Sequence, residues 1–250
     1  GVSLWSVRNC FEKNDFDALD AFLIYFQNTM LQMRNSKLPV IAAPVGMSIG
    51  GGFEVVLHAD HVVGHANSVM GLVESFMGVV PAGGGCKETL YRWSESLGDG
   101  RKGAWKSFMN IGLGRKANSP QEADALSMRR ANDVFHMNRD RILTGALSSI
   151  ETTSKAKARN PLALSGVDHF EEMLEWLTTN HKNGMLTPHD VTVGTEIGRI
   201  MTGGNCASGT IFTEQDILDA ERSSFLTLAQ TQETQARIVS MLDNGITLRN

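Results

Sequence analysis

SIGGGFEVVLHAD, residues Ser48 to Asp60, sets three consecutive glycines directly before Phe53, Glu54 and an apolar run of helical length. Glycine opens backbone conformations closed to other residues and lets another group approach the main chain. A helix start leaves N–H groups unpaired and partially positive. The combination suits a site that presents backbone donors to a developing oxyanion, with Glu54 one turn in. Two other glycine chemistries fail on spacing. Counted from Gly50, the third glycine of a dinucleotide fingerprint falls on Val55; counted from Gly46, the second falls on Ser48. A phosphate loop fails because no Gly-Lys-Ser/Thr closes it.

Working outward, LPVIAAPVGM upstream reads as one buried strand, because β-branched and small apolar residues follow Pro39 and a glycine ends the run. Before it, Asn14–Asn35 carries Phe16, Leu19, Phe22, Leu23, Phe26, Met30 and Met33 at helical spacing, behind Asn14 and Asp15 as caps. That stripe is read as core. Downstream, FEVVLHAD suits a short helix and HVVGHA a second strand; SVMGLVESFMGVVPAGGGCKETLYRW suits loops around a further strand or turn, then a helix. Beyond about Lys116 the texture changes. Ser119, Pro120 and Glu122 predict a capping box, and helical patterns follow at Met137–Glu151, Val167–Thr179, His189–Met201, Thr213–Leu228 and Thr231–Asp243. The polar run ETTSKAKARN, residues 151–160, reads as a linker. The expectation is an α/β core followed by a largely helical C-terminal region.

Composition narrows the function classes. The 250 residues are 42% hydrophobic and 20% charged, enough for a sizeable core. A net charge of −4 offers no basic field for nucleic acid. Cys10, Cys86 and Cys206 are an odd number without CxxC spacing, which argues against a disulfide framework or zinc ribbon and for a reducing, cytoplasmic setting. The longest uncharged apolar stretch, Leu38 to Phe53, contains two prolines and four glycines, so no transmembrane segment is expected. The opening GVSLWSV shows no secretory leader.

A second carboxylate, Glu74, follows Glu54 by twenty positions in MGLVESFMGVVPAGGG. Two carboxylates in one pocket can divide base and acid work on a water molecule. Spacing does not show that they meet. Read as pattern alone, Glu54 also suits a solvated first-turn glutamate, Glu74 an exposed loop charge, and the glycines close strand–helix packing.

The run from Leu38 through PAGGGCKETL resembles the central part of the crotonase (enoyl-CoA hydratase/isomerase) family. It has the lysine-proline-type strand, the triple glycine before glutamate, the aspartate ending the helix, the glycine-x-x-glutamate and the proline-glycine turn. The resemblance implies a crotonase-like ββα spiral core over residues 1–117, lacking its first strands, and a helical region over 118–250. It makes Gly51 a backbone oxyanion donor and Glu54 and Glu74 the acid/base pair of hydration. Val2, which follows the glycine of an upstream motif, becomes the other oxyanion N–H. The substrate implied is an acyl-CoA thioester. Val73 stands where hydratases often have proline, Phe53 replaces a small residue, and PAGGGCKE replaces the common PGAGGTQR. Both carboxylates remain; the changes bear on acyl-chain preference and rate.

NSPQEADALSMRRANDVFHMNRDRIL and the tail from Thr213 to Asn250 resemble the C-terminal part of bacterial fatty-acid oxidation proteins, in which a 3-hydroxyacyl-CoA dehydrogenase precedes a crotonase-like domain. The function implied is hydration of 2-enoyl-CoA in β-oxidation, with enoyl-CoA isomerisation or a catalytically weak scaffold as the alternatives. NAD is then expected only in a dehydrogenase portion upstream of Gly1, and a homo-oligomer or docking to that portion is expected.

Other features have plainer readings. His58, His61 and His65 with Asp60 are read as helix-end packing rather than a metal site. Cys86 is read as a small buried cysteine, and Arg92, Arg101, Lys102, Arg115 and Lys116 as solvated surface that could reach CoA phosphates. GRIMTGG, Gly198 to Gly204, needs only a helix C-cap.

Overall fold

The computed structural model describes residues 2–156 and 158–250; Gly1 of the expected upstream motif and Lys157 of the expected linker lie outside the described residues. In chain order the elements are α1 (Leu4–Glu12), α2 (Phe16–Asn35), β1 (Ile41–Ala42), β2 (Met47–Ile49), α3 (Gly51–His58), β3 (His61–His65) and β4 (Val69–Gly71). They continue with α4 (Gly85–Leu97), α5 (Gly100–Gly112), β5 (Lys116–Ala117), α6 (Pro120–Ala125), β6 (Val134–His136) and α7 (Ile142–Ser149). The chain closes with β7 (Leu162–Ala163), α8 (Val167–Lys182), α9 (Pro188–Thr202), β8 (Ile211–Phe212), α10 (Glu214–Ala229) and α11 (Gln232–Asn244).

The first four strands alternate between two sheets, and β5 and β6 then add one strand to each. One has the order β1-β3-β6, all parallel; the other is β2-β4-β5, with β2 and β4 parallel and β5 antiparallel. Each strand–strand–helix turn adds one strand to each sheet, which is the ββα spiral. Between its sheets the chain is short, so the helix starts after β2 and β4 fall close together.

The single buried strand expected over LPVIAAPVGM is two short strands in different sheets. Pro44 can donate no ladder bond, and its carbonyl instead accepts from the His65 N–H and the Ser68 hydroxyl. Gly46 at φ +85° then turns the chain. Both strands lie at sheet edges, so Met47 is 77% exposed where burial was expected.

The sequence reading missed two helices. In α1 only Val7 is fully buried, and its apolar signal is too short to be periodic. In α5 the glycines at 100, 103 and 112 count against helix. Tertiary packing reverses that: a Cβ at Gly103 would sit 2.7 Å from the Ser94 backbone nitrogen, so glycine is what lets α4 and α5 pack closely.

The C-terminal patterns form α7 to α11 within three residues of expectation, except that the Met137–Glu151 pattern is split into a 3-10 turn, Arg139–Arg141, and α7. Gly203 at φ +82° caps α9. The capping box expected at Ser119 is only half formed: Ser119 accepts from the Glu122 N–H, but Glu122 reaches past it to the Asn118 N–H. The expected linker is tied to the core. Lys155 pairs with Asp60 at 2.7 Å, the Ala156 N–H donates to the same carboxylate, and Arg159 meets Glu88 at 3.0 Å. One continuous apolar core joins Leu19 and Leu23 of α2, Phe53 of α3 and Leu90 of α4 to Ile197, Ile217, Phe225 and Ile238 of the last helices.

Candidate active site

Gly50 opens α3 at φ +56° and ψ −136°, a left-handed conformation that a side chain would strain, with its N–H donated to Gly71 of β4. Gly51 is the first helical residue, so its N–H has no acceptor inside the helix. Val2 faces it: a Cβ on Gly51 would lie 3.1 Å from the Val2 nitrogen and 3.0 Å from its Cγ2. The two expected backbone donors are therefore neighbours.

Glu54, in the first turn of α3, is 2% exposed rather than solvated. Its Oε1 accepts the N–H groups of Gly83 and Gly85, both at 2.8 Å. These belong to the second glycine triplet, where Gly84 at φ +100° turns the chain into α4. A Cβ at Gly83 would strike the Phe26 ring at 2.2 Å, and one at Gly85 would lie 2.8 Å from Glu54 Oε1. Glycine at these positions is what lets the backbone reach the carboxylate.

Glu74 begins the 3-10 turn Glu74–Met77 that follows β4. Both of its carboxylate oxygens are shut off from solvent and have no hydrogen-bond partner among the described residues. Oε1 lies 3.3 Å from where a Gly50 Cβ would be, so the group hangs over the start of α3. Val2, Gly51, Glu54 and Glu74 all line one cavity of about 220 Å³. Its apolar walls come from Leu23 and Phe26 of α2 and from Phe225 and Ile238 of the last two helices.

Burial pushes the Glu54 carboxyl up from 4.5 to about 7, against the pull of the two glycine N–H groups. Burial, then the neighbouring Glu54 charge, pushes Glu74 well above the usual carboxylate range. Such a pair titrates as a unit, and once its first proton has left, one carboxyl is ionised while the other stays protonated. That is the state in which one can accept a proton while the other supplies one.

The Glu54 shift has a consequence for stability. A carboxyl that holds its proton more tightly folded than unfolded makes folding take up a proton, so stability falls as pH rises from about 4.5 to about 7. Glu54→Gln removes that dependence. The stability of the variant relative to wild type should rise by on the order of 3 kcal/mol across that window, measured by denaturant midpoints at successive pH values. A pH-independent difference would mean that Glu54 titrates normally.

Residues 12–97 match the family described as Enoyl-CoA hydratase/isomerase. The fold of this core is crotonase-like. The same fold appears, with a TM-score of 0.66 over 99% of this chain and 73% of the other, in an enoyl-CoA hydratase from Rhodobacter sphaeroides at 15% identity. An enoyl-CoA hydratase from Bacillus halodurans gives a TM-score of 0.59 over 96% of this chain and 75% of that one, again at 15% identity. At such identities the structures speak for the fold alone. Along its whole length the chain is 30% identical to a probable 3-hydroxyacyl-CoA dehydrogenase of Bacillus subtilis, and it spans 32% of that protein.

Within this core, Arg92 is not the solvated cation expected. It is 8% exposed and donates to the carbonyls of Met128 and Leu57 at 3.1 and 3.0 Å, while burial lowers it to about 9. Arg101 pairs with Glu172 and Lys102 with Asp99; Arg115 and Lys116 are exposed. The three histidines are engaged separately: His58 with the Glu54 carbonyl, His61 beside Asp133, and His65 with the Met137 carbonyl. Cys86 is fully buried.

Sequence reasoning missed the glycine donors of Glu54 and another buried carboxyl group beside them, Glu221 of α10. A signal for Glu221 was available: it falls on the same helical face as Ile217, Leu218, Phe225 and Leu228, where a charged residue has no solvent to meet.

Among the described residues, no helix is long and apolar enough to cross a membrane.

Proposed function

We propose that this crotonase core adds water across the double bond of a 2-enoyl-CoA, in a protein that also carries a 3-hydroxyacyl-CoA dehydrogenase portion. The reading rests on two buried carboxylates sharing one cavity with the Gly51 and Val2 backbone, one of the two having no partner of its own. The thioester oxygen would accept from the Val2 and Gly51 N–H groups. Glu54 and Glu74 would hold a water between them. As the water oxygen bonds to the β-carbon, the ionised carboxyl takes its proton and the double-bond electrons move toward the thioester oxygen. The protonated carboxyl then delivers a proton to the α-carbon, so the pair ends with the one proton it began with. Preorganised donors at the developing oxyanion are worth roughly 3–4 kcal/mol of barrier.

The dehydrogenase portion implies NAD, and neither glycine turn described here fits its pyrophosphate. The Gly83, Gly84 and Gly85 N–H groups are already donated to Glu54 and Glu221, and Glu74 overhangs the α3 start. Nicotinamide chemistry would belong to the portion of the protein beyond these residues.

Hydration is tested by incubating the full-length protein with a short 2-enoyl-CoA in ¹⁸O-labelled water. Label at the β-carbon of a 3-hydroxyacyl product supports the reading; a double-bond shift without label would overturn it. The oxyanion assignment has its own test in Gly51→Pro. Proline is tolerated at the first helical position but carries no N–H, and its ring would crowd Val2. The variant should keep its fold by circular dichroism and lose about 10²–10³-fold in kcat. An active, folded Gly51→Pro protein would reject this donor.

A further inference from the structure

We propose that Glu221 is a positioning residue of this site: it holds the first turn of α4 so that the Gly83 and Gly85 N–H groups reach Glu54. The inference rests on the reading of Glu54 as an acid/base group.

Glu221 is fully buried, and each of its carboxylate oxygens accepts one backbone N–H. Gly84 donates to Oε2 at 2.7 Å and Lys87 to Oε1 at 2.6 Å. Glu54 takes the donors on either side of Gly84, from Gly83 and Gly85. The start of α4 is thus shared between two carboxylates, one from α3 and one from α10, with alternate N–H groups going to each. A helix start can be satisfied by water or a hydroxyl, so a buried carboxylate is a costly choice if capping were its whole purpose. The Lys87 ammonium does not neutralise it by contact, because it is turned to Glu88 and Glu214 at 3.2 and 3.0 Å. A second tie runs beside the first: the Gln27 amide donates to Ala82 on the turn and to Leu218 on α10, at 2.9 and 2.8 Å. The turn that orients Glu54 is therefore clamped to α10 at both ends.

If Glu221 is replaced by glutamine, one of the Gly84 and Lys87 N–H groups meets an amide NH₂ and loses its acceptor. The turn relaxes, and the N–H bonds that hold Glu54 in place and ease its ionisation weaken. The titratable groups around this turn are Glu74, Glu221, Cys86 and Lys87, with His58 on the helix of Glu54 itself.

The experiment is carbon-13 NMR titration of the Glu54 carboxyl in the full-length protein, assigned with Glu54→Gln, alongside hydration kinetics on a short 2-enoyl-CoA. In Glu221→Gln the Glu54 pKa should rise by about one unit. kcat should fall by about ten- to a hundredfold, with KM within about twofold. Glu221→Asp, which keeps the carboxyl group but withdraws it by one methylene, should shift both in the same direction by less, and it serves if the glutamine variant does not fold. An unchanged Glu54 pKa would overturn the proposal. So would a lowered one, because Glu221 would then act through its charge alone. If the wild type hydrates nothing, the functional reading fails while the Glu54 titration still decides the positioning role.

Discussion

Glu54→Gln should cut hydration of a 2-enoyl-CoA by about 10²–10⁴-fold in kcat while leaving thioester binding largely intact. The geometry makes this substitution unusually clean. Both glycine N–H bonds land on Oε1, and a glutamine can present its carbonyl oxygen there, so the turn into α4 keeps its two acceptor contacts. What disappears is the ability to gain and lose a proton. Glu74→Gln should do similar damage for a different reason. Glu74 has no hydrogen bond among the described residues to lose, so a fall in rate in a folded variant reports chemistry rather than scaffolding. Wild-type turnover in either variant would assign that glutamate to structure.

Deleting Lys182–Asn250 should abolish the folded state, not only adjust acyl-chain preference. The deletion removes Val193, Ile197, Ile200, Met201, Ile217, Leu218, Leu228 and Ile238, each no more than 2% exposed. At about 1.5–3 kcal/mol per buried side chain, that loss is roughly 12–24 kcal/mol, against a typical total stability of about 5–15 kcal/mol. It also strips Glu221 from the α4 start and two walls, Phe225 and Ile238, from the cavity. The expected result is a truncated protein without a cooperative unfolding transition and without activity. A folded truncation with unchanged kinetics would show that the last three helices are accessory.

Much of this molecule was legible without coordinates. The glycine triplet before Glu54, the alternation of apolar runs with glycine and proline, and the 3.6-residue stripes of the later helices are local patterns. The backbone answers to them locally: α3 begins at Gly51, and α8 to α11 follow their apolar faces to within a few residues. Local signals of the other kind misled. Three glycines weaken the helical signal of α5, yet Gly103 is there because Ser94 lies against it. An apolar run argued for one buried strand, yet Pro44 and Gly46 send its two halves to different sheets.

The sequence by itself determined which residues could supply backbone donors and carboxylates, because those capacities belong to residue type. Only the tertiary structure decided their states. Glu54 and Glu74 meet because the spiral returns β4 beside β2, which brings two element ends twenty residues apart to one cavity. Their raised proton affinities come from exclusion of water by α2, α10 and α11, elements far away in the chain. Glu221 shows the limit most plainly: on its own helix it is one glutamate on an apolar stripe, and its partners, the Gly84 and Lys87 N–H groups, exist for it only after the chain has folded. Hydrogen bonding and desolvation depend on what surrounds a group within a few ångströms, and sequence spacing does not specify that across such separations.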